Sequence, residues 1–248
     1  MQQRATGFAK DGPEGRIDPC DACAVRHHSL CGALSRSEIL DLNAISRRKR
    51  LMPGEVHAMQ GDAASDFANV TEGVAKLVRG AEDGRTQIVG LLFPSDFIGG
   101  QLGARKGAEE PHSIEAASEM ELCLFPRGPF EKVLEKYPTL EHRLLQRTLS
   151  ELQVAQDWMV LLGRKTAQER VASFLLHVIT KYRNQGCTPT EAFDLPLGRG
   201  DIADFIGLTI ETVSRQITKL KNDGIITFEG TKRIVAVDMD RLKDRAGF

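Results

Sequence analysis

The stretch of residues 199–222 constrains this chain most, because its pattern predicts two short helices joined by a sharp turn. Gly207 gives the turn the backbone freedom that it needs, and Thr209 is placed to cap the second helix. Apolar residues recur in that helix at steps of three and four, which predicts one inward face. These residues are Ile210, Val213, Ile217 and Leu220. The stretch is therefore predicted to be a helix-turn-helix.

The opposite face of the second helix carries polar side chains suited to reading DNA. Arginine can donate two hydrogen bonds to guanine, and glutamate can accept one from cytosine. Glu211 and Arg215 are four residues apart, so both can reach neighbouring base pairs in one major groove. An ion pair between them on a solvated face is the alternative. The residues predicted to contact DNA are Arg199, Thr209, Glu211, Ser214, Arg215, Thr218 and Lys219.

Short strands flank this motif and predict a winged arrangement. Residues 193–197 alternate like a strand, and residues 225–228 and 233–237 indicate two more around a Glu-Gly turn. The run GLTIETVSRQITKLKNDGII resembles the recognition segment of the CRP/FNR superfamily of bacterial transcription regulators. Its E-x-x-S-R signature, typical of the FNR branch, falls on Glu211, Ser214 and Arg215.

A second informative feature is a group of cysteines near the N-terminus. Cys20, Cys23 and Cys31 follow the spacing C-x2-C-x7-C. In a reducing compartment such clustering indicates a metal site rather than disulfides. His27 and His28 lie inside the group, so zinc held by three cysteines and one histidine is an alternative.

Cys123 lies in a strand-like stretch and on its own would be interpreted as a buried core thiol. With the other three it makes a quartet, and four thiolates suit an iron–sulfur cluster. Cys20, Cys23, Cys31 and Cys123 resemble the ligands of the FNR oxygen sensors, which implies a 4Fe–4S cluster. The first three are expected on a mobile segment that the cluster pins to the body of the protein. Cys187 has no place in that pattern and is interpreted as incidental.

Residues 51–125 alternate short apolar stretches with turns, which predicts a sandwich or jelly-roll barrel. The resemblance implies a β-roll related to cyclic-nucleotide-binding domains. Such domains that bind the nucleotide carry an Arg-Ser pair after a Gly-Glu element, and residues 98–112 have no clear match. Arg105 is the nearest candidate, so no cyclic nucleotide is expected as a ligand.

A long helix is predicted over residues 139–162, with one apolar seam spaced like a coiled coil. The seam residues are Leu145, Thr148, Leu152, Ala155, Met159 and Leu162. A second face, made by Leu144, Leu149, Trp158 and Leu161, is expected to pack on the chain's own β-roll. Two apolar faces require two partners, so the seam is predicted to form a homodimer.

The chain of 248 residues is long enough for two domains. The predicted fold is α+β, with a jelly-roll sensor domain, a dimerisation helix and a winged helix-turn-helix. The predicted divisions are a mobile N-terminus (1–17), a cluster-binding segment and β-roll (18–137), the dimerisation helix (138–163) and the DNA-binding domain (164–248). Net charge is −1, but residues from 164 onward hold fourteen Lys/Arg against eleven Asp/Glu, a sign that suits DNA. No apolar run approaches the ~18 residues of a membrane span, and a cytoplasmic protein is expected.

The resemblance implies an oxygen-responsive regulator that forms a dimer when its cluster is intact. That dimer would bind a palindromic TTGAT-type site in double-stranded DNA and contact RNA polymerase. A regulator with a zinc or thiol-switch site is the alternative. An enzyme is not expected, because the sequence offers no nucleophile–His–acid grouping, phosphate-binding glycine loop or HExxH motif.

Overall fold

The computed structural model describes residues 20–99, 108–184 and 192–247 of the chain. Within these ranges the helices, after a short 3-10 helix at Leu30–Ala33, are α1 Arg36–Ile45, α2 Arg127–Lys136, α3 Pro138–Arg164, α4 Ala167–Asn184, α5 Arg199–Ile206, α6 Ile210–Asn222 and α7 Met239–Ala246. The strands are β1 Arg47–Leu51, β2 Val56–Ala58, β3 Asp66–Glu72, β4 Ala75–Gly80, β5 Thr86–Leu92, β6 Phe97–Ile98, β7 Ser113–Ala116, β8 Met120–Pro126, β9 Phe193–Asp194, β10 Ile226–Glu229 and β11 Arg233–Val237.

Strands β1 to β8 form the predicted β-roll. They make two antiparallel sheets with the orders β1-β8-β3-β6 and β2-β7-β4-β5. The two sheets enclose a buried apolar core that draws on both, including Val70 and Leu122 from one and Leu92 and Ile114 from the other. The α+β fold with a jelly-roll domain is thus confirmed. Residues 100–107, which contain Arg105, lie outside the described ranges, so the absence of a cyclic nucleotide stays a prediction.

The N-terminal segment is held against the roll by a second apolar cluster. Phe130 of α2 lies at its centre, with its ring centroid 5.1 Å from that of Phe67 and 5.3 Å from that of Phe125. Leu30 and Leu34 of the N-terminal segment are buried in the same cluster. The described part of this segment therefore packs on the roll through its own leucines, and its pinning by a cluster stays a prediction.

Helix α3 extends one or two residues beyond the predicted limits at each end and presents two different faces. Leu144 packs in the Phe130 cluster as expected. Leu149, assigned to the same inward face, is 57% exposed, which corrects that assignment. Trp158 packs against the core that the roll shares with the C-terminal domain, with its ring centroid 4.5 Å from that of Phe205. The inward face of α3 thus contacts two domains.

The C-terminal domain has the predicted winged architecture. Its small antiparallel sheet has the order β10-β11-β9, and α4 to α7 pack around one buried core. Val74, Ile88 and Phe93 of the roll join that core, so the two domains share apolar packing. None of the described helices has the length and apolar character that crossing a membrane requires.

Two ion pairs reinforce this contact between the domains. The Nζ atom of Lys76, a buried residue of β4, lies 2.9 Å from Oδ1 of Asp201 in α5. The Nζ atom of Lys181 in α4 lies 3.0 Å from Oδ2 of Asp96, which precedes β6. The first helix of the helix-turn-helix is therefore bonded directly to the β-roll.

His177 makes this contact sensitive to acid. Burial lowers the pKa of its ring to about 4, and the charge of Lys181 acts in the same direction. Since an unfolded histidine has a pKa of about 6.5, the unfolded chain binds more protons between those two values. The neutral His177 ring therefore stabilises the folded state fully above about pH 6.5, and this stabilisation is lost as the pH falls towards 4.

We expect His177→Gln to reduce the drop in thermal unfolding midpoint between pH 7 and pH 5, measured anaerobically. The exposed His142 supplies the control, and His142→Gln should leave the parental pH profile intact. An unchanged profile for His177→Gln would contradict the assignment.

Candidate functional site

The turn of the helix-turn-helix is fixed by local geometry. Gly207 ends α5 in the left-handed region, with φ at 63°. Thr209 caps α6, because its Oγ1 accepts a hydrogen bond from the Thr212 amide at 3.3 Å. Arg170 of α4, which sequence reasoning missed, donates to the carbonyl oxygens of Ile206 at 3.3 Å and of Leu162 at 2.7 Å. One guanidinium therefore joins the end of α3 to the turn.

Helix α6 separates into an inward and an outward face, as predicted, with one exception. Val213, Ile217 and Leu220 are buried in the core of the domain. Ile210, at the first position of the helix, is 52% exposed. The inward face therefore begins at Val213, and the assignment of Ile210 to it is wrong.

The predicted DNA-contacting residues on α6 differ in their exposure and in their hydrogen bonds. Glu211 and Arg215 are exposed, and the helix N-terminus holds the pKa of Glu211 below its usual range through a backbone hydrogen bond. Ser214 is half-buried, and its carbonyl oxygen accepts from Thr218 Oγ1 at 2.9 Å. Lys219 turns towards α4, where its Nζ donates to Oε1 of Gln168 at 2.9 Å.

Arg199 lies beside the wing and lines the same cavity as Thr218. Its guanidinium carbon stands 5.5 Å from the ring centroid of Phe228, and burial lowers its pKa. An open cavity separates α6 from the wing, lined on its basic side by Arg199, Lys221 and Lys232. The groove offers charges that fit a phosphate backbone. Lys221 is a candidate phosphate contact from the sequence, and Lys232 was not predicted to contact DNA.

The six seam residues of α3 form part of an exposed stripe. Met159 is the most exposed of its large apolar side chains, at 72%. Thr148 and Ala155 are exposed as well, and Thr148 donates its hydroxyl proton to the Leu144 carbonyl oxygen at 3.1 Å. The apolar side chains of the stripe are Leu145, Leu149, Leu152, Met159, Val160 and Leu162. The stripe is thus wider than the predicted seam, by Leu149 and Val160.

The four candidate ligands line a single small cavity between the N-terminal segment and the β-roll. Cys20 and Cys23 lie in turns, and Cys31 lies in the 3-10 helix, where Ser29 Oγ accepts from its amide at 3.3 Å. Cys123 is in the middle of β8. Two segments far apart in sequence therefore bring their thiols to one place. Cys187 lies outside the described residues.

Burial keeps two of these thiols in their neutral form. It raises the pKa of Cys31, and it raises that of Cys123 to about 12 with a smaller contribution from neighbouring Cys31. Because only the thiolate binds a metal, a metal centre at these two residues would have to supply the compensating positive charge. A buried thiol with a raised pKa is also a poor nucleophile.

The type and number of the donors suit a cluster, since a 4Fe–4S cluster takes four cysteine ligands and four thiols line the cavity. His27 and His28 are exposed and are not among the described residues that line the cavity. In the part of the chain that the structure describes, no group of three or more His, Cys, Asp or Glu side chains is arranged to hold a single metal ion.

The sheet below the cavity contributes polar groups that sequence reasoning did not assign. Two arginines of the basic strand β1 take part in this network. The guanidinium groups of Arg48 and Arg50 both pair with the Glu121 carboxylate, which keeps the pKa of that carboxyl below its usual range despite its burial. Asn69 and Thr71 of β3 also line the cavity.

Comparison with known proteins supports the assignment of both the β-roll and the helix-turn-helix domain. A cyclic nucleotide-binding domain model matches residues 48–137, and a Crp-like helix-turn-helix domain model matches residues 169–245. A probable transcriptional activator of Rhizobium leguminosarum is 43% identical over 90% of this chain and 91% of its own. The transcriptional activator protein FnrL of Cereibacter sphaeroides is 40% identical over 92% of each chain.

The solved structure of FixK2 from Bradyrhizobium japonicum gives the same result in three dimensions. It covers 81% of this chain and 96% of its own, with a TM-score of 0.71 and 32% identity. The β-roll, long helix and winged helix-turn-helix described above are thus those of a known architecture. The chain belongs to the CRP/FNR superfamily, whose members are DNA-binding transcription regulators and not enzymes.

Proposed function

We propose that this regulator responds to oxygen through a 4Fe–4S cluster held by Cys20, Cys23, Cys31 and Cys123. The observation that carries the proposal is the convergence of these four thiols on one cavity, although β8 and the N-terminal segment are far apart in sequence. When bound, the cluster supplies iron and sulfide that oxygen can oxidise. The protein's part is to ligate, orient and shield it.

Packing supports a link between the cysteines and the dimerisation helix. Cys20, Cys31 and Cys123 pack against the apolar cluster that contains Phe130 of α2. Leu144 of α3 is buried in that same cluster. A change in the position of the cysteine segment would therefore shift side chains that hold α3. The buried Leu144 directly precedes Leu145, where the exposed stripe begins.

The stripe on α3 supports a homodimer, and the dimer supports recognition of a palindrome. Each α6 covers only one half-site, so two subunits are needed for a full site. By resemblance the half-site is of the TTGAT type, and the bound dimer contacts RNA polymerase. As a protein that acts on the chromosome, the regulator is proposed to work in the cytoplasm.

The test is anaerobic purification followed by absorption spectroscopy and analysis of iron and acid-labile sulfide. We expect a brown protein with about four iron and four sulfide per chain. Zinc in place of iron, with a colourless protein, would establish the metal-site alternative. Absence of any metal, with DNA binding controlled by thiol oxidants, would establish the thiol switch.

DNA recognition gives a separate prediction at Arg215. If its guanidinium reads guanine, Arg215→Ala should cost about 1–3 kcal/mol on the cognate site and relax the preference at one base pair. Site selection from random DNA followed by binding titrations measures both. The contrasting variant is Lys221→Ala in the basic groove, which should weaken all sequences alike and lower the salt slope by about one. Equal weakening on all sequences by Arg215→Ala, or selection of no palindrome, would contradict the assignment.

A further inference from the structure

Asn69 is a buried amide where a strand interior favours an apolar side chain. It is 2% exposed in β3, between the buried residues Ala68 and Val70. Asparagine is depleted in strands, and burying an amide costs free energy unless its polar atoms are bonded. Among the described residues, its Oδ1 atom has no hydrogen-bond partner. A buried group that is only partly satisfied calls for a specific role.

The other end of this amide is directed at a candidate ligand. Its Nδ2 atom donates to the Sγ atom of Cys31 at 3.6 Å. The strand register sets Asn69 directly opposite Cys123, which in turn stands opposite Arg48 of β1. Residues directly opposite in neighbouring antiparallel strands project from the same face of the sheet. Asn69 therefore lies beside two ligands, one from each of the segments that form the site.

The chemistry of the contact favours the ligated state. A thiolate sulfur only accepts hydrogen bonds, so the NH₂ end of the amide is the end that stabilises it. Hydrogen bonds to ligand sulfurs are among the features that set the reduction potential of an iron–sulfur centre. Donation to sulfur draws negative charge from the centre and so favours its more reduced form. The Arg48 charge beside it is offset by Glu121, which leaves Asn69 as a neutral donor aimed at sulfur.

We propose that Asn69 is a positioning residue for the cluster, whose amide orients Cys31 and raises the resistance of the bound cluster to oxidation. This inference rests on the proposed function, because it requires a cluster at the four cysteines. It assigns to Asn69 an influence on how much oxygen the regulator tolerates, independent of the ligand set itself.

The test compares Asn69→Leu and Asn69→Ser with the full-length parent, all purified anaerobically. Leucine keeps the volume without a donor, and serine has a hydroxyl too short to reach the sulfur. The matched control is Thr71→Val, on the same strand and cavity, where the lost hydroxyl donates to the Glu121 carbonyl oxygen at 2.9 Å instead of to a thiol. The readouts are the midpoint potential and the rate at which visible absorbance bleaches at fixed oxygen concentration.

We expect both Asn69 variants to have a lower midpoint potential than the parent. Their visible absorbance should bleach roughly tenfold faster. Thr71→Val should bleach at the parental rate. Thermal unfolding of the iron-free proteins distinguishes a purely structural role of Asn69 from a role towards the cluster. Asn69→Leu removes the unbonded Oδ1 and should not destabilise the apoprotein. A folded Asn69 variant that cannot hold the cluster would also support the positioning role.

Parental potential and bleaching rate in the Asn69 variants would overturn the inference while leaving the proposed function intact. A colourless, iron-free parent would instead reject the proposed function. Unfolding of both iron-free Asn69 variants under conditions where iron-free Thr71→Val stays folded would also overturn the inference, since Asn69 would then serve the fold and not the cluster.

Discussion

Serine in place of any one of the four cavity cysteines should abolish both the brown colour and anaerobic DNA binding. Each thiolate is one of four ligands, and a serine hydroxyl is neither soft nor readily ionised, so the centre loses an attachment point. Cys123→Ser is the most informative of the four, because Cys123 is the ligand that belongs to the β-roll. Iron and sulfide content, visible absorbance and DNA titration measure the result.

The control for this series is Cys187→Ser, which should retain both colour and DNA binding. Brief exposure of the parent to air should reproduce the defect, with absorbance and DNA affinity falling together. Coupling of about 3 kcal/mol between cluster and dimer is enough for a change of more than a hundredfold. Full DNA binding by a quartet variant that has lost its iron would show that the cluster does not control assembly.

The second large effect is expected from Met159→Glu in the exposed stripe of α3. In a homodimer that packs this stripe on its own copy, the change places two like charges in a dry interface. Leaving buried charges unpaired costs about 3–5 kcal/mol, which exceeds a hundredfold in the dimer constant. DNA binding should be lost with the dimer while the subunit stays folded, because the Met159 side chain is largely exposed in the single chain.

Sedimentation and circular dichroism check this result, and Gln146→Glu is the matched control. Gln146 is an exposed residue of the same helix, about 100° around its axis from Leu145, so it adds the same charge beside the stripe. We expect Gln146→Glu to dimerise and to bind DNA as the parent does. A Met159→Glu protein that still sediments as a dimer would show that the interface lies elsewhere.

The features that could be predicted from the sequence alone are those that depend on residues close together in the chain. The capping of α6 by Thr209 and the left-handed Gly207 follow from neighbouring residues, and the structure has both. Strands β10 and β11 and the ends of α3 fall within two residues of their expected limits, whereas β9 ends three residues before its own. Helical periodicity, turn chemistry and capping act over a few residues, so a single sequence contains them.

Features that depend on pairing between distant strands could not be predicted in the same way. The role of Glu121 as a partner of Arg48 and Arg50 depends on the register of β1 against β8. Asn69 reaches Cys31 because β3 lies on the other side of β8. An asparagine within an apolar strand pattern was the available signal, but only the register gives it a partner.

The errors on α3 and α6 concern single side chains. Leu149 is four residues from Leu145, about 40° around the helix, so it lies with the exposed stripe and not with the buried Leu144. Ile210 has the helical spacing of the inward face but stands at the first position of α6 and is 52% exposed. The bond between Lys76 and Asp201 likewise joins two domains whose contact no local pattern describes.

The location of Cys123 sets an order of events during synthesis. The strand that holds it is an interior strand, bonded to β1 on one side and β3 on the other, and it is made about 90 residues after Cys31. A nascent chain that has emerged only as far as β7 carries three of the four ligands and lacks the strand that completes the first sheet. A site made of all four cysteines can therefore be completed only after β8 has been synthesised.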